Sequence, residues 1–226
     1  DIEAFLRIKD WPPELRALRD REPTWPAPME LTNVSIRLDA RFFEAASNPL
    51  HPEHRRATDL YRDAVRRMCR TGEPGFSVDL GRDADEHLRN ACCEITTKDS
   101  DDICNLGSVN IARVTSLEEM QDVVDAATLF LIAGSEYTSL PYPDVCAVRD
   151  KNRRLGLGVM GVHEWLLARG RPYAPDAELS TWLAEYATST DTAWCWADKH
   201  SISRPVKTRA IAPTGTIGII GETTTG

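Results

Sequence analysis

Asn90, Cys92 and Glu94 place an amide, a thiol and a carboxylate at alternate positions, and a second thiol, Cys104, returns within a loop's reach. In an extended segment successive side chains point to opposite faces, so residues i, i+2 and i+4 share one. The spacing predicts that the three groups converge on one small substrate. A hydrogen-bonding amide, a sulfur competent in one-electron or nucleophilic chemistry and a proton acceptor suit reaction at a polyhydroxylated molecule. Cys93 then faces the other way and is expected to pack. The competing reading of Cys92 is a buried structural cysteine. Glu94 alone reads as a surface carboxylate, and Asn90 alone as a turn residue.

Two other stretches invite a ligand. Pro213-Thr214-Gly215-Thr216 is a turn rich in backbone and hydroxyl donors, of the kind that binds phosphate at a helix start; alone it is also an ordinary turn. Gly156-Leu157-Gly158-Val159-Met160-Gly161 fits the G-x-G-x-x-G pattern. A dinucleotide fingerprint needs an apolar strand before it, and here the charged run Arg149 to Arg154 precedes it. Close strand-to-helix packing is the better account of these glycines. The six cysteines contain no Cys-x-x-Cys pair and no histidine at knuckle spacing, so no metal site is expected.

The chain that must hold these groups has 226 residues, 42% apolar and 27% charged, which describes a globular protein. A formal charge of −8 without a basic run argues against a general nucleic-acid binder. No apolar stretch reaches membrane-spanning length, no signal peptide opens the chain, and the irregular cysteine spacing is unlike a secreted disulfide scaffold. The cytosol is the expected compartment.

Periodicity gives an α/β order. Residues 1–10 read as the end of a helix, broken by Trp11-Pro12-Pro13, and Pro23, Pro26 and Pro28 extend an irregular stretch. A strand is expected at Asn33 to Ile36, then a short helix capped by Asp39, a helix from His54 to Arg70 and a strand at Phe76 to Val78. Ser116-Leu117-Glu118-Glu119 is a capping box opening a helix to about Tyr137. A strand at Leu155 to Met160, a helix from Val162 to Arg169, one long helix from Glu178 to His200 and a short strand at Ala210-Ile211 complete the reading. Trp165, Trp182 and Trp194 fall at core positions of these helices.

Asn-x-Cys-x-Glu resembles the finger loop of ribonucleotide reductase catalytic subunits. Cys104-Asn105-Leu106-Gly107-Ser108-Val109-Asn110, then Asn152-Arg153-Arg154-Leu155-Gly156-Leu157-Gly158-Val159-Met160-Gly161, then Ala212-Pro213-Thr214-Gly215-Thr216-Ile217 are similar to that family's later blocks. Asp1 to Leu6 and Leu31 to Ile36 match in order as well. The likeness covers nearly the whole chain.

The resemblance implies part of a ten-stranded α/β barrel with a central finger loop. Residues 1–226 would form a single incomplete catalytic domain, without the N-terminal region and first strands, and without the C-terminal strands and the tail carrying shuttle cysteines. The implied activity is reduction of ribonucleotides, expected as diphosphates, to 2′-deoxyribonucleotides for DNA synthesis. Cys92 would act as a thiyl radical removing hydrogen from C3′, with Glu94 as base at the 3′-hydroxyl and Asn90 holding ribose hydroxyls. Cys104 would be one of two reducing thiols that end as a redox-active disulfide, its partner lying on an earlier strand. Pro213, Thr214, Gly215 and Thr216 would cradle the substrate's phosphates. The runs Leu88 to Cys92 and Asp101 to Asn105 lean to the adenosylcobalamin-dependent class; otherwise a metal-containing small subunit would supply the radical. A thioredoxin- or glutaredoxin-type reductant and a homodimer are the implied partners. A nucleotide-binding module without catalysis, with Cys92 inert, and an inactive barrel remnant are the alternatives.

Overall fold

The computed structural model describes residues 2–24, 29–80 and 85–225. Pro26 and Pro28 lie outside the described residues. The chain divides into two compact units, Asp1–Cys93 and Glu94–Gly226.

In the first unit, α1 (Ile2–Leu6) gives way to α2 (Pro13–Arg21), a helix that periodicity did not predict. Pro13 stops one helix yet starts another, because at the first helical position its missing N–H has no partner to lose. Strand β1 (Ser35–Asp39) begins two residues later than expected. Asp39 caps α3 (Ala40–Ser47), its carboxylate accepting from the Phe42 N–H at 2.9 Å, as its position predicts. Helix α4 (His54–Thr71) ends at Gly72, whose φ of 79° suits a residue without Cβ. Strand β2 (Gly75–Asp79) returns parallel to β1, with Ser35 opposite Gly75 and Asp39 opposite Asp79. The helices thus form the crossover that a parallel pair requires. Leu6, Ile36, Leu38 and Ala64 bury together at its centre. Strand β3 (Leu88–Arg89) closes the unit.

The second unit opens with β4 (Thr96–Thr97) and β5 (Asn105–Asn110). Ser116 caps α5 (Leu117–Tyr137), accepting from the Glu119 N–H at 3.1 Å. The Glu119 carboxylate reaches back to the N–H and hydroxyl of Thr115, so the box closes one residue earlier than its pattern implies. Helix α6 (Pro143–Asn152) leads into β6 (Leu155–Met160), which runs parallel to β5 from Asn105 opposite Leu155 to Asn110 opposite Met160. All six β6 residues are buried, as befits a strand covered on both faces. Val109, Leu155, Leu157, Val159 and Val124 form the heart of the core here.

After β6 come α7 (Val162–Ala168), α8 (Ala177–Ala187) and α9 (Ser189–Lys199). The expected single helix from Glu178 is broken at Thr188, whose hydroxyl donates to the Glu185 carbonyl at 2.6 Å. The Thr188 N–H also turns to that carbonyl, at 3.1 Å, so backbone and hydroxyl of Thr188 both tighten the chain out of the helical ladder. Trp165 and Trp182 are buried edge to face, whereas Trp194 is 38% exposed and donates to the Pro205 carbonyl. The expected strand at Ala210-Ile211 reduces to a single parallel bridge, Leu157 to Arg209. Still, residues 207–210 run beside β6, with Leu157 donating to Thr208 and Ala210 donating to Leu157, both at 3.0 Å. Helix α10 (Gly215–Ile220) follows. Among the described residues the strands form separate short pairs and no closed barrel.

Candidate active site

Asn90 and Cys92 belong to a tight turn. The Cys93 N–H donates to the Asn90 carbonyl at 3.1 Å, and Cys93 has φ 66°. The expected extended backbone, and with it the strict alternation of faces, is therefore absent: a left-handed residue inside the segment breaks the two-residue period. The turn leaves the Cys92 side chain exposed and the Cys93 thiol half-buried, 3.6 Å from the Ser35 hydroxyl at the start of β1. The packing role expected for Cys93 holds. The approach to the turn is fixed by charge. Asp79, buried at the end of β2, accepts from Arg37 at 2.5 Å and from His87 Nδ1 at 2.9 Å. No local pattern marks that trio; β1–β2 pairing brings Arg37 near Asp79, and His87 comes from the segment after β2.

Glu94 and Cys104 lie in the second unit, within electrostatic reach of each other. Both Glu94 carboxylate oxygens are buried, and neither has a hydrogen-bond partner among the described residues. Leaving a buried polar group unsatisfied costs about 1–3 kcal/mol, so such a group marks strain or an absent ligand. The Cys104 thiol is pushed up to about 12, chiefly by burial; Arg154 pulls it down, while Asp102 and Glu94 push it further up. At neutral pH this sulfur keeps its proton. It is a poor nucleophile until deprotonated.

The stretch before Cys104 is anchored by a pairing that no sequence motif marked, although Asp102, Asn152 and Arg154 fall in the family-like runs. Asp102 Oδ2 accepts from Thr97 Oγ1 at 2.7 Å, Arg154 Nε at 2.8 Å and Asn152 Nδ2 at 3.1 Å. The Asp102 and Arg154 side chains are only 2% and 4% exposed. Breaking such a buried pair by removing one partner costs about 3–5 kcal/mol, because the other charge is stranded. Asn152 also donates to Asp99, which pairs with Lys151. The Asn152-Arg153-Arg154 block thus ties the chain entering β6 to the chain entering β5. The one available signal was the acidic pair beside a cysteine; its partner lies 52 residues away and needs the fold to meet it.

The glycine pattern holds no dinucleotide turn. A Cβ on Gly156 would lie 2.9 Å from Cys104 Sγ, and one on Gly158 would lie 2.6 Å from the Ala210 carbonyl oxygen. These glycines make room for β5, the Cys104 thiol and the 207–210 segment, so the close packing is against neighbouring extended chain and not, as expected, against a helix.

Pro213 to Thr216 leads into α10 as expected of a turn at a helix start. Thr214 is left-handed at φ 52°, and its carbonyl accepts the helix's first hydrogen bond from Gly218. Its hydroxyl is buried and donates to the Thr225 carbonyl at 3.4 Å, so it serves the fold before any ligand. Pro213, Gly215 and Thr216 stand nearer the surface than Thr214. The structure thus gathers Asn90 and Cys92 in one turn, and Glu94 with Cys104 in the other unit.

Comparison with known proteins gives this arrangement its family. The profile of the ribonucleotide reductase barrel domain matches residues 43–188, more than half of the sequence. The chain belongs to the ribonucleotide reductase barrel-domain family. A Mycobacterium phage D29 protein, named for adenosylcobalamin-dependent ribonucleoside-triphosphate reduction, is 34% identical over 236 residues, covering 96% of this chain and 31% of the relative. A Mycobacterium tuberculosis protein named vitamin B12-dependent ribonucleoside-diphosphate reductase is 30% identical over 149 residues, covering 54% of this chain and 21% of its own length. The chain therefore spans about a third or less of these relatives.

Among solved structures, the alpha subunit of the Actinobacillus ureae class Id ribonucleotide reductase superposes with a TM-score of 0.67 at 21% identity, over 89% of this chain and 44% of that one. A B12-dependent class II ribonucleotide reductase gives 0.65 at 18% identity, over 85% and 29%. The fold is that of part of the reductase barrel. No helix among the described residues is long and apolar enough to cross a membrane.

Proposed function

We propose that this chain is the part of a ribonucleotide reductase that carries the finger loop and one reducing thiol, and that both units belong to one barrel domain. The family match supports the latter, since it runs across the boundary at Cys93. The observation that carries the functional reading is the Glu94 carboxylate, buried and without a partner among the described residues, in the electrostatic field of Cys104. A hydroxyl of the ribose is the partner it lacks.

In this reading Cys92, as a thiyl radical, takes hydrogen from C3′ and later returns it. Glu94 accepts the 3′-hydroxyl proton while the 2′-hydroxyl leaves as water, and Asn90 holds the ribose hydroxyls. Cys104 and a second thiol supply two electrons and two protons and end as a disulfide. Ribonucleotide and dithiol thus become deoxyribonucleotide, water and disulfide, the step that feeds DNA synthesis. The high proton affinity of Cys104 suits a thiol that delivers hydrogen at neutral pH. Pro213, Gly215 and Thr216 offer accessible groups for the phosphates; Thr214 shapes the turn.

Adenosylcobalamin, named in the phage relative, is the proposed radical source, ahead of a metal-containing small subunit. When bound, it supplies the one-electron oxidation of a thiol. Cys92, one of the exposed thiols, is the one that the proposed mechanism assigns to that oxidation. The relatives' names divide between diphosphate and triphosphate substrates, and we keep the diphosphate. A thioredoxin- or glutaredoxin-type dithiol would restore Cys104, in a cytoplasmic homodimer. The test is an assay of the complete protein with each ribonucleotide, with and without adenosylcobalamin. Deoxyribonucleotide formed only with the cofactor is expected; equal formation without it would remove the cobalamin assignment.

A further inference from the structure

We infer that Asp102 and Arg154 are positioning residues for Cys104: their buried ion pair staples the chain just before β5 to the chain just before β6 and seats the thiol between them. The inference rests on reading Cys104 as a redox thiol, yet concerns what holds it. Asn105 opposes Leu155 in the β5–β6 register, so Cys104 and Arg154 enter the pair side by side. Asp102 stands two residues before the thiol, its Oδ2 engaged by Thr97, Asn152 and Arg154. Opposite, Gly156 presents no Cβ, and any would press on Cys104 Sγ at 2.9 Å. The thiol thus sits within the field of the charge pair and close to the bare backbone of Gly156.

The charged groups acting on the sulfur are Glu94 before β4, Asp102 before β5 and Arg154 before β6, and the uncharged Gly156 lies close by. Asp102 and Arg154 push its proton affinity in opposite directions. That opposition gives a readout which simple loosening of the fold does not reproduce.

The experiment measures alkylation of Cys104 in the complete protein by mass spectrometry, at a fixed pH of about 8.5, near the ordinary thiol value. At a pH below a thiol's pKa, the reactive thiolate fraction falls about tenfold each time that pKa rises by one. Asp102→Asn should speed alkylation of Cys104 by about tenfold or more, and Arg154→Gln should slow it by about tenfold. Arg154→Lys, which keeps the charge, should restore most of the wild-type rate. Half-buried Cys146 is the internal control and should not change. If Arg154→Gln does not fold, Asp102→Glu, which keeps the negative charge, should return the rate of Asp102→Asn towards the wild-type value. Both charge variants moving the rate the same way, Asp102→Asn leaving it at the wild-type value, or Asp102→Glu matching Asp102→Asn would overturn the seat. Alkylation needs no turnover, so this result stands apart from whether Cys104 is a reductant; steady multiple turnover by Cys104→Ser alongside the expected alkylation pattern would count against the redox reading instead.

Discussion

Replacing Cys92 with serine should abolish deoxyribonucleotide formation by the complete protein while leaving ribonucleotide binding intact. An O–H bond is too strong to be exchanged for a C3′–H bond by the oxidant that suffices for a thiol, so the chain of hydrogen transfers never starts. Turnover should fall by roughly 10⁴-fold or more, the scale lost when the group bearing the covalent step is removed. Binding should survive because serine nearly keeps the size of the side chain, and the turn is closed by the Cys93 N–H on the Asn90 carbonyl and braced by the Cys93 thiol against Ser35. The Cys92 side chain itself is exposed. Steady-state turnover and equilibrium binding measured on one preparation check both halves. A serine variant that turns over at the wild-type rate would end the assignment of the radical to Cys92.

Glu94 should separate activity from stability. Glu94→Gln keeps the shape but cannot take up the 3′-hydroxyl proton, and turnover should drop about 10²–10⁴-fold. Glu94→Met fills similar space with an apolar chain. Both carboxylate oxygens are buried without partners among the described residues, so removing them relieves a desolvation cost, and the methionine variant should be more stable by about 1–3 kcal/mol. A residue that costs the fold and serves the chemistry is the usual trade at a functional site. Denaturant unfolding beside the activity assay reads both. A methionine variant less stable than the wild type would mean that the carboxylate has a structural partner and is not held in reserve for a substrate.

Much of the local structure was written in nearby residues. Asp39 capping α3, Ser116 capping α5 and the apolar run of β6 follow from side chains acting on their own neighbourhood. Errors fell where context decides. Pro13 has the look of a breaker and is a helix start; the Thr188–Ser189–Thr190 run fits a helix by apolar period and breaks the ladder. At the site, the residue types at Asn90, Cys92, Glu94 and Cys104 were legible, but alternation along a strand is not what would bring them together, since the left-handed Cys93 turns the chain. The Asp102–Arg154 pair and the Asp79–His87–Arg37 trio were invisible because each is assembled by parallel strands and crossovers that join distant stretches. Thr214 has the residue type of a phosphate donor, and its hydroxyl is turned to Thr225.

The sharpest test of the radical mechanism is a single-turnover experiment. The complete protein is reduced, freed of external dithiol, mixed with ribonucleotide and adenosylcobalamin, then quenched by alkylation and mapped peptide by peptide. Deoxyribonucleotide should appear in a burst that stops, with the Cys104 thiol lost in step and recovered as a disulfide. Deoxyribonucleotide accumulating while Cys104 is still alkylated in full would contradict the account.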